Sequence, residues 1–279
     1  MNRSVVLRAP AKLNLFLHIT ARRADGYHQL QTVFQLIDLC DELRFTVTDE
    51  ASISLQGGPA DVSAESNLVM RAARLLAAHR GATRGAQIEL RKLIPTGGGL
   101  GGGSSDAAAA LLALNHLWGC GLEVAELAQL GLQLGADVPV FVYGANAWAE
   151  GIGEQLQAIE LPERWYLVIR PGCAVNTAAI FADRELTRNT PIMTIAGFLE
   201  GSGHNDCEAV VRKRYPEVDR ALGWLSRYGT ARMSGTGSCV FAAFGNERQA
   251  REAAADVPQE WDWFVARGIN HSMVHEALY

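Results

Sequence analysis

The run Pro95-Thr96-Gly97-Gly98-Gly99-Leu100-Gly101-Gly102-Gly103-Ser104-Ser105-Asp106 places six glycines and two serines directly before Ala107–Leu114. The second stretch is all alanine and leucine and reads as a strong helix. Glycine accepts positive φ and carries no side chain, so several backbone N–H groups can turn toward one point. A helix N-terminus adds unpaired N–H groups and partial positive charge. Together these make a cradle for phosphate. Ser104, Ser105 and Asp106 are expected to cap the helix, and the serine hydroxyls could also meet phosphate or a metal ion, Ser105 being the candidate metal ligand.

Other readings of the loop fit less well. A flexible connector would not run straight into an apolar helix from the strand-like Gln87–Arg91. A P-loop needs Gly-Lys-Ser/Thr, and no lysine follows Gly103. A nucleophile elbow needs glycine where Asp106 stands. Gly97, Gly99 and Gly102 satisfy Gly-x-Gly-x-x-Gly. However, the next acidic residue after Asp106 is Glu123, which opens another helical stretch instead of ending a strand. A nucleoside triphosphate held by a loop that is not a Walker loop is what remains.

Other clusters carry groups that could do chemistry, two of them polar residues in apolar settings. Lys12 lies within Ala9-Pro10-Ala11-Lys12-Leu13-Asn14-Leu15, where Leu13, Leu15 and Leu17 face one way and Lys12, Asn14, Phe16 and His18 the other. By residue type alone it could equally be a lysine with a buried stem and a wet ammonium. Asp137 follows Leu134-Gly135-Ala136 and precedes an apolar run. Beside a helix C-terminus its charge would not help stability, and a turn aspartate bonding its own backbone is the plain alternative. Ala24-Asp25-Gly26-Tyr27-His28 reads as a turn followed by an aromatic ring and an imidazole. A second glycine turn, Ser234-Gly235-Thr236-Gly237-Ser238, is equally well a tight link between strands. His271 and His275 have a helical i,i+4 spacing but lack a third ligand, so a metal site there is not expected.

The elements that must position these groups are legible as an α+β pattern. Strands are expected over Val5–Leu7, Lys12–His18, Thr32–Ile37, Leu43–Val47, Ile53–Leu55 and Gln87–Arg91. A helix capped by Ser66 or Asn67 runs from Leu68 to His79 and closes at Gly81. Another begins at Glu123 and ends at Gly135. Val138–Tyr143 and Ala147–Ala149 read as strands joined by Gly144-Ala145-Asn146. The polar stretch around Ile159–Glu163 is the expected boundary between domains 1–160 and 161–279. Beyond it come strands at Trp165–Arg170, Cys239–Phe244 and Phe264–Ala266. Helices are expected at Ala178–Asp183, Met193–Leu199, Asp206–Lys213, Val218–Tyr228 and Glu247–Ala255. No repeat period is visible.

The chain has 279 residues, is 48% hydrophobic and 20% charged, and carries a net charge of −5. That balance argues against a general nucleic-acid binder. Its five cysteines are scattered and never spaced as C-x-x-C, which reads as reduced thiols. No signal peptide pattern and no apolar run of about 18 residues is present, so a soluble cytoplasmic protein without a membrane span is expected.

The pattern Pro-x-x-x-Gly-Leu-Gly-…-Ser-Ser-x-Ala in the loop resembles the phosphate-binding signature of the GHMP kinases, which include galactokinase and the homoserine and mevalonate kinases. Gly102 and Gly103 extend it in the manner of one branch, whose members phosphorylate a cytidine diphosphate-linked polyol in the non-mevalonate route to isoprenoid precursors. Pro10-Ala11-Lys12-Leu13-Asn14 and Ser234–Ser238 resemble further motifs of that branch, in family order. Thr96 is a minor departure.

The resemblance covers nearly the whole chain. It implies a two-domain fold, with an N-terminal ribosomal-protein-S5-like and a C-terminal ferredoxin-like domain and the ligand cleft between them. It implies transfer of the γ-phosphoryl of ATP, with Mg²⁺, to the 2-hydroxyl of the small-molecule substrate. Pro95, Thr96, Gly97, Gly98, Gly99, Leu100, Gly101, Gly102, Gly103, Ser104 and Ser105 would hold ATP. Asp137 would act as general base, and Lys12 would activate the alcohol or balance transferring charge. Tyr27 would stack on cytosine and His28 would bond its edge. Asn14, Phe34, Thr177 and Phe181 complete the expected substrate pocket. No nucleic acid or membrane partner is implied, and a monomer or weak dimer is expected. Homoserine- or mevalonate-type kinases, or a non-catalytic nucleotide-binding protein, are the other readings.

Overall fold

Strand β1 (Ser4–Arg22) threads every core of the molecule. Leu7 and Ala9 belong to one apolar cluster, Ala11 and Leu13 to a second, Phe16 to a third, and Leu17 and Ile19 to a fourth. Lys12 and Asn14 therefore sit where the strand passes between cores. The computed structural model describes residues 4–60, 62–81 and 84–278.

β1 pairs antiparallel with β2 (His28–Thr48). The short strands expected around Pro10 and around Asp38–Cys40 are continuous instead. Pro10 cannot donate to a ladder and is tolerated at a bulge. The register shifts there, Pro10 pairing with Cys40 and Ala11 with Ile37. The same register sets Lys12 against Leu36 and Asn14 against Phe34, then shifts again before Leu17 pairs with Thr32. Both faces of this stretch are covered: Leu13, Leu17, Lys12, Asn14, Phe16 and His18 are all buried.

β3 (Ile53–Gly57) runs parallel to β4 (Gly85–Arg91), and helix α1 (Leu68–Arg80) lies between them in sequence. Asn67 caps α1 by accepting from the Val69 N–H. The glycine loop leads into α2 (Gly102–Trp118), buried over most of its length, since its alanines let neighbours approach closely. α3 (Val124–Leu132) and α4 (Val138–Tyr143) pack beside it. The expected strand at Val138–Tyr143 is thus a helix. A six-residue apolar run has no readable period. Pro139 sits in the first turn, where its missing N–H costs nothing, and Gly144, at φ 67°, closes the helix by donating to Val140 O.

β5 (Ala147–Glu150) pairs with β2 and with β6 (Gln155–Ala158). Beyond it come β7 (Trp165–Arg170), α5 (Thr177–Phe181), α6 (Ile195–Leu199), α7 (Glu208–Arg214), α8 (Pro216–Leu225), β8 (Arg232–Met233), β9 (Val240–Phe244) and α9 (Glu247–Ala254). The chain closes with β10 (Asp262–Ile269) and α10 (Met273–Leu278). β10 pairs with both β7 and β2, giving one sheet of order β3-β4-β2-β10-β7-β9-β8 with β1, β5 and β6 branching from it. Val274 and Leu278 of α10 return to the core around α2. The architecture is α+β.

Candidate active site

The glycine loop is shaped from two directions. Gly97, Gly99 and Gly101 have φ of 73°, 75° and 72°, a region that costs other residues roughly 1–2 kcal/mol. From the far end of the chain, the turn Ser234–Ser238 supports the loop: Ser234 Oγ donates to Gly99 O at 2.9 Å and the Cys239 N–H to Gly98 O at 3.1 Å. A Cβ at Gly99 would overlap Ser234 O, and one at Gly98 would overlap Cys239 Sγ. Burial raises the Cys239 thiol to about 12, so it serves as packing and not as a nucleophile.

The cap of α2 is Gly101, and no side chain caps it. Ser104, Ser105 and Asp106 lie in the first turns instead, which corrects their expected capping role. The uncapped end and the loop from Pro95 to Ser104 line a cavity of about 380 Å³ with Asn67, Lys92 and Asp106. Ser105 Oγ is buried without a partner among the described residues, and Ser105 lines neither this cavity nor the next.

A network absent from the sequence reading braces the loop's two ends. Lys92 forms ion pairs with Asp41 and, at 2.8 Å, with Asp106 Oδ2. Asp41 Oδ1 also accepts from the Leu93 and Ile94 N–H groups at 2.6 and 2.9 Å, fixing the entry to the loop. Burial pushes the Asp106 carboxyl up to about 7; Asp41 acts in the same sense and Lys92 against it. Burial works to lower Lys92, but the two carboxylates outweigh it and raise it. Asp106 Oδ1 remains buried without a partner among the described residues.

A second cavity, of about 340 Å³, is lined by Lys12, Asn14, Thr32, Phe34, Asp137, Thr177, Phe181 and Thr236, among others. Gly99 and Ser104 line both cavities, so the two share a wall. Lys12 Nζ sits at that wall. It is 3% exposed, donates to Asn14 Oδ1 at 2.5 Å and Gly99 O at 3.0 Å, and lies 3.3 Å from Asp137 Oδ2. Its ammonium also stands 5.4 Å from the Phe34 ring centre. The lysine with a wet head is excluded by this burial. Asp137 is 35% exposed. It stands at the N-terminus of α4 and not before a strand, so the helix dipole favours its charge, the reverse of the expected penalty.

Thr177 Oγ1 and Thr236 Oγ1 are 2.8 Å apart, joining α5 to the second glycine turn. His28 lines neither cavity but stacks on Phe181 of the second, with ring centres 5.2 Å apart and planes at 26°. Tyr27 is 61% exposed and lines neither cavity. Its N–H bonds the Asp25 carboxylate at 3.1 Å, as the expected turn requires. The structure thus gathers Lys12, Asn14, Phe34, Asp137, Thr177 and Phe181 around one cavity and the glycine loop around its neighbour. His28 is at the margin and Tyr27 in solvent. His275 bonds Val142 O, and no group of three metal-ligating side chains occurs among the described residues. Nor among them is any helix long and apolar enough to cross a membrane.

Two adjoining cavities, one walled by an uncapped helix end and the other by a buried lysine–aspartate pair, are the outline of a phosphotransferase. Comparison with known proteins gives the class. Residues 67–145 match the GHMP kinases N terminal domain and residues 185–262 the GHMP kinases C terminal domain. The chain is 54% identical over 270 residues to 4-diphosphocytidyl-2-C-methyl-D-erythritol kinase of Nitrosococcus oceani, covering 97% of this chain and 96% of that one. It is 56% identical to the protein so named in Alkalilimnicola ehrlichii, covering 94% and 90%. A crystal structure of 4-(cytidine 5'-diphospho)-2C-methyl-D-erythritol kinase superposes with TM-score 0.83 at 34% identity, over 95% of this chain and all of the other. Homoserine kinase of Cytophaga hutchinsonii shares the fold, with TM-score 0.72 at 20% identity over 98% and 97% of the chains. The chain belongs to the GHMP kinases, in the group of the 4-diphosphocytidyl-2-C-methyl-D-erythritol kinases. It is accordingly a small-molecule kinase that draws on ATP.

Proposed function

We propose that this chain transfers the γ-phosphoryl group of ATP to the 2-hydroxyl of 4-diphosphocytidyl-2-C-methyl-D-erythritol, giving the 2-phosphate and ADP. The bond from the γ-phosphorus to the bridging oxygen breaks as the bond to the substrate oxygen forms, and the hydroxyl proton leaves to Asp137. The observation that carries this reading is the Lys12–Asp137 pair at the wall shared by the two cavities. A triphosphate lying along Pro95–Ser104 would present its last phosphorus at Gly99 and Ser104. An alcohol in the second cavity would meet it beside Asp137. Lys12, held by Asn14 Oδ1 and Gly99 O, would place a fixed positive charge at the transferring group, where preorganised charge is most effective.

On this reading Asn14, Phe34, Thr177 and Phe181 hold the polyol and its diphosphate, while Tyr27 and His28 take the base. Mg²⁺ suits the donors present: it binds through phosphates and one or two protein oxygens. The Ser104 hydroxyl and the Asp137 carboxylate line the acceptor cavity and offer such oxygens. Ser105 is buried apart from both cavities, which argues against it as a ligand. The functional units are residues 1–160 and 161–279, with β1 and α10 packing across the division. The enzyme would work in the cytoplasm as a monomer or weak dimer, in the non-mevalonate pathway.

The test is ADP release with ATP and a panel of alcohols comprising the cytidine diphosphate-linked polyol, homoserine and mevalonate. Turnover with the first alone is expected. Preference for another acceptor, or release with none, refutes the assignment.

A further inference from the structure

Arg188 commits four of its five N–H donors beside Phe181, a residue that lines the acceptor cavity. Nη1 donates to Leu186 O at 3.0 Å, and Nη2 donates to Phe181 O at 2.8 Å and Asp183 O at 2.6 Å. Nε is left to donate to His28 Nε2 at 3.0 Å. One side chain therefore ties together both members of the stacked pair, Phe181 by its backbone and His28 by its ring.

Arginine only donates, and it keeps its charge at any working pH. The ring nitrogen facing it must carry a lone pair, so the proton of a neutral imidazole resides on Nδ1. A second proton would break the bond to Arg188 and set two cations side by side. Burial also lowers the His28 pKa, followed by the charges of Arg188 and Arg22. Among the described residues the bond from Arg188 is the only one made by the ring nitrogens, leaving Nδ1–H available to a ligand.

We infer that Arg188 is a positioning residue that fixes His28 as a donor-only Nδ1–H reader and so selects cytosine over uracil. Resting on the proposed function, this explains how the base would be told apart. The N3 of cytosine is a bare acceptor, whereas the N3 of uracil carries hydrogen. A ring locked with Nδ1–H outward pairs with the first and opposes the second. An imidazole free to exchange tautomers could present a donor or an acceptor and would accept either base. Sites that leave a buried polar group mismatched discriminate strongly.

The first measurement needs no substrate. Long-range ¹H–¹⁵N correlation spectra of the ligand-free, histidine-labelled protein near neutral pH should show His28, identified by its loss in His28→Gln, with Nδ1 protonated and Nε2 bare. A protonated Nε2 overturns the inference. The second compares cytidine- and uridine-diphosphate-linked acceptors. Wild type should prefer the cytidine form by about a hundredfold or more. Arg188→Met should cut that ratio by about tenfold or more and raise KM for the cytidine acceptor, with KM for ATP held within about twofold. Arg188→Lys, which restores one donor, should recover part of the ratio. An unchanged ratio in a folded Arg188→Met protein refutes the role in selection. If Arg188→Met does not fold, the wild-type spectrum and the Arg188→Lys ratio decide the matter. If wild type phosphorylates neither acceptor, the substrate assignment falls, while the spectrum still rules on Arg188.

Discussion

Lys12 Nζ lies 3.3 Å from Asp137 Oδ2 and 3.0 Å from the carbonyl of Gly99, so one ammonium touches both the proposed base and the phosphate loop. The two partners differ in burial, and their substitutions should differ accordingly. Asp137→Asn should lower kcat by about 10²–10⁴ with little change in melting temperature, since its carboxylate is 35% exposed. Lys12→Met should also abolish most turnover, but at a further cost of about 1–3 kcal/mol, because Asn14 Oδ1 loses its buried donor and Gly99 O keeps only that of Ser234. Steady-state kinetics and urea denaturation of the pair check this. Substantial activity in Asp137→Asn removes it as the base.

Two glycines of the loop separate backbone strain from collision. Gly97 and Gly99 have nearly the same φ, but a Cβ at Gly97 meets nothing within 4 Å whereas one at Gly99 overlaps Ser234 O. Gly97→Ala should cost about 1–2 kcal/mol from its left-handed backbone. Gly99→Ala should cost more and weaken ATP binding beyond it. Equal losses in the two variants, read by denaturation and nucleotide titration, would show that the Ser234 turn does not support the loop.

Much of this site was legible because its signals are local. Glycine spacing and the alanine run announced the cradle, and turn chemistry at Asp25-Gly26 and Gly235 announced the bends. Lys12 and Asp137 were visible only as polar residues in apolar surroundings, and their pairing came from resemblance. Val138–Tyr143 was misread because six apolar residues fit a strand as well as a buried helix. Asp41, Lys92 and Arg188 were missed for another reason. Each stands in an ordinary charged stretch, and only the strand register and chain path bring it to its partners, which no spacing encodes.

The Asp106 carboxyl gives a signed dependence on pH. It titrates near 3.8 in a free chain and at about 7 in the fold. Between those values the folded state binds the proton more tightly than the unfolded chain, so this group's contribution to stability falls as pH rises through that window. Asp106→Asn keeps the shape without the titration. Its stability relative to wild type should rise from about pH 5 to about pH 8. Denaturant melts at the two pH values check the sign, and a relative fall would place the ionised form as the favoured one.

Tyr27 is 61% exposed, so stacking on a base would be gained on binding and not lost on mutation of the free protein. Tyr27→Ala should leave the melting temperature unchanged and raise KM for the cytidine acceptor roughly three- to tenfold, the worth of one aromatic stack, with KM for ATP constant. An unchanged acceptor KM would take Tyr27 out of base recognition.

The support of Gly98 and Gly99 by Cys239 and Ser234 also bears on synthesis. A nascent chain that has emerged only as far as residue 160 already carries the whole glycine motif, but not the turn on which it rests. Nucleotide affinity must then arrive late in translation, after β8 and β9 have left the ribosome and docked. Until that moment the first half can gather most of the core around α2, which Val274 and Leu278 complete at the end of the chain, yet it has no finished seat for ATP.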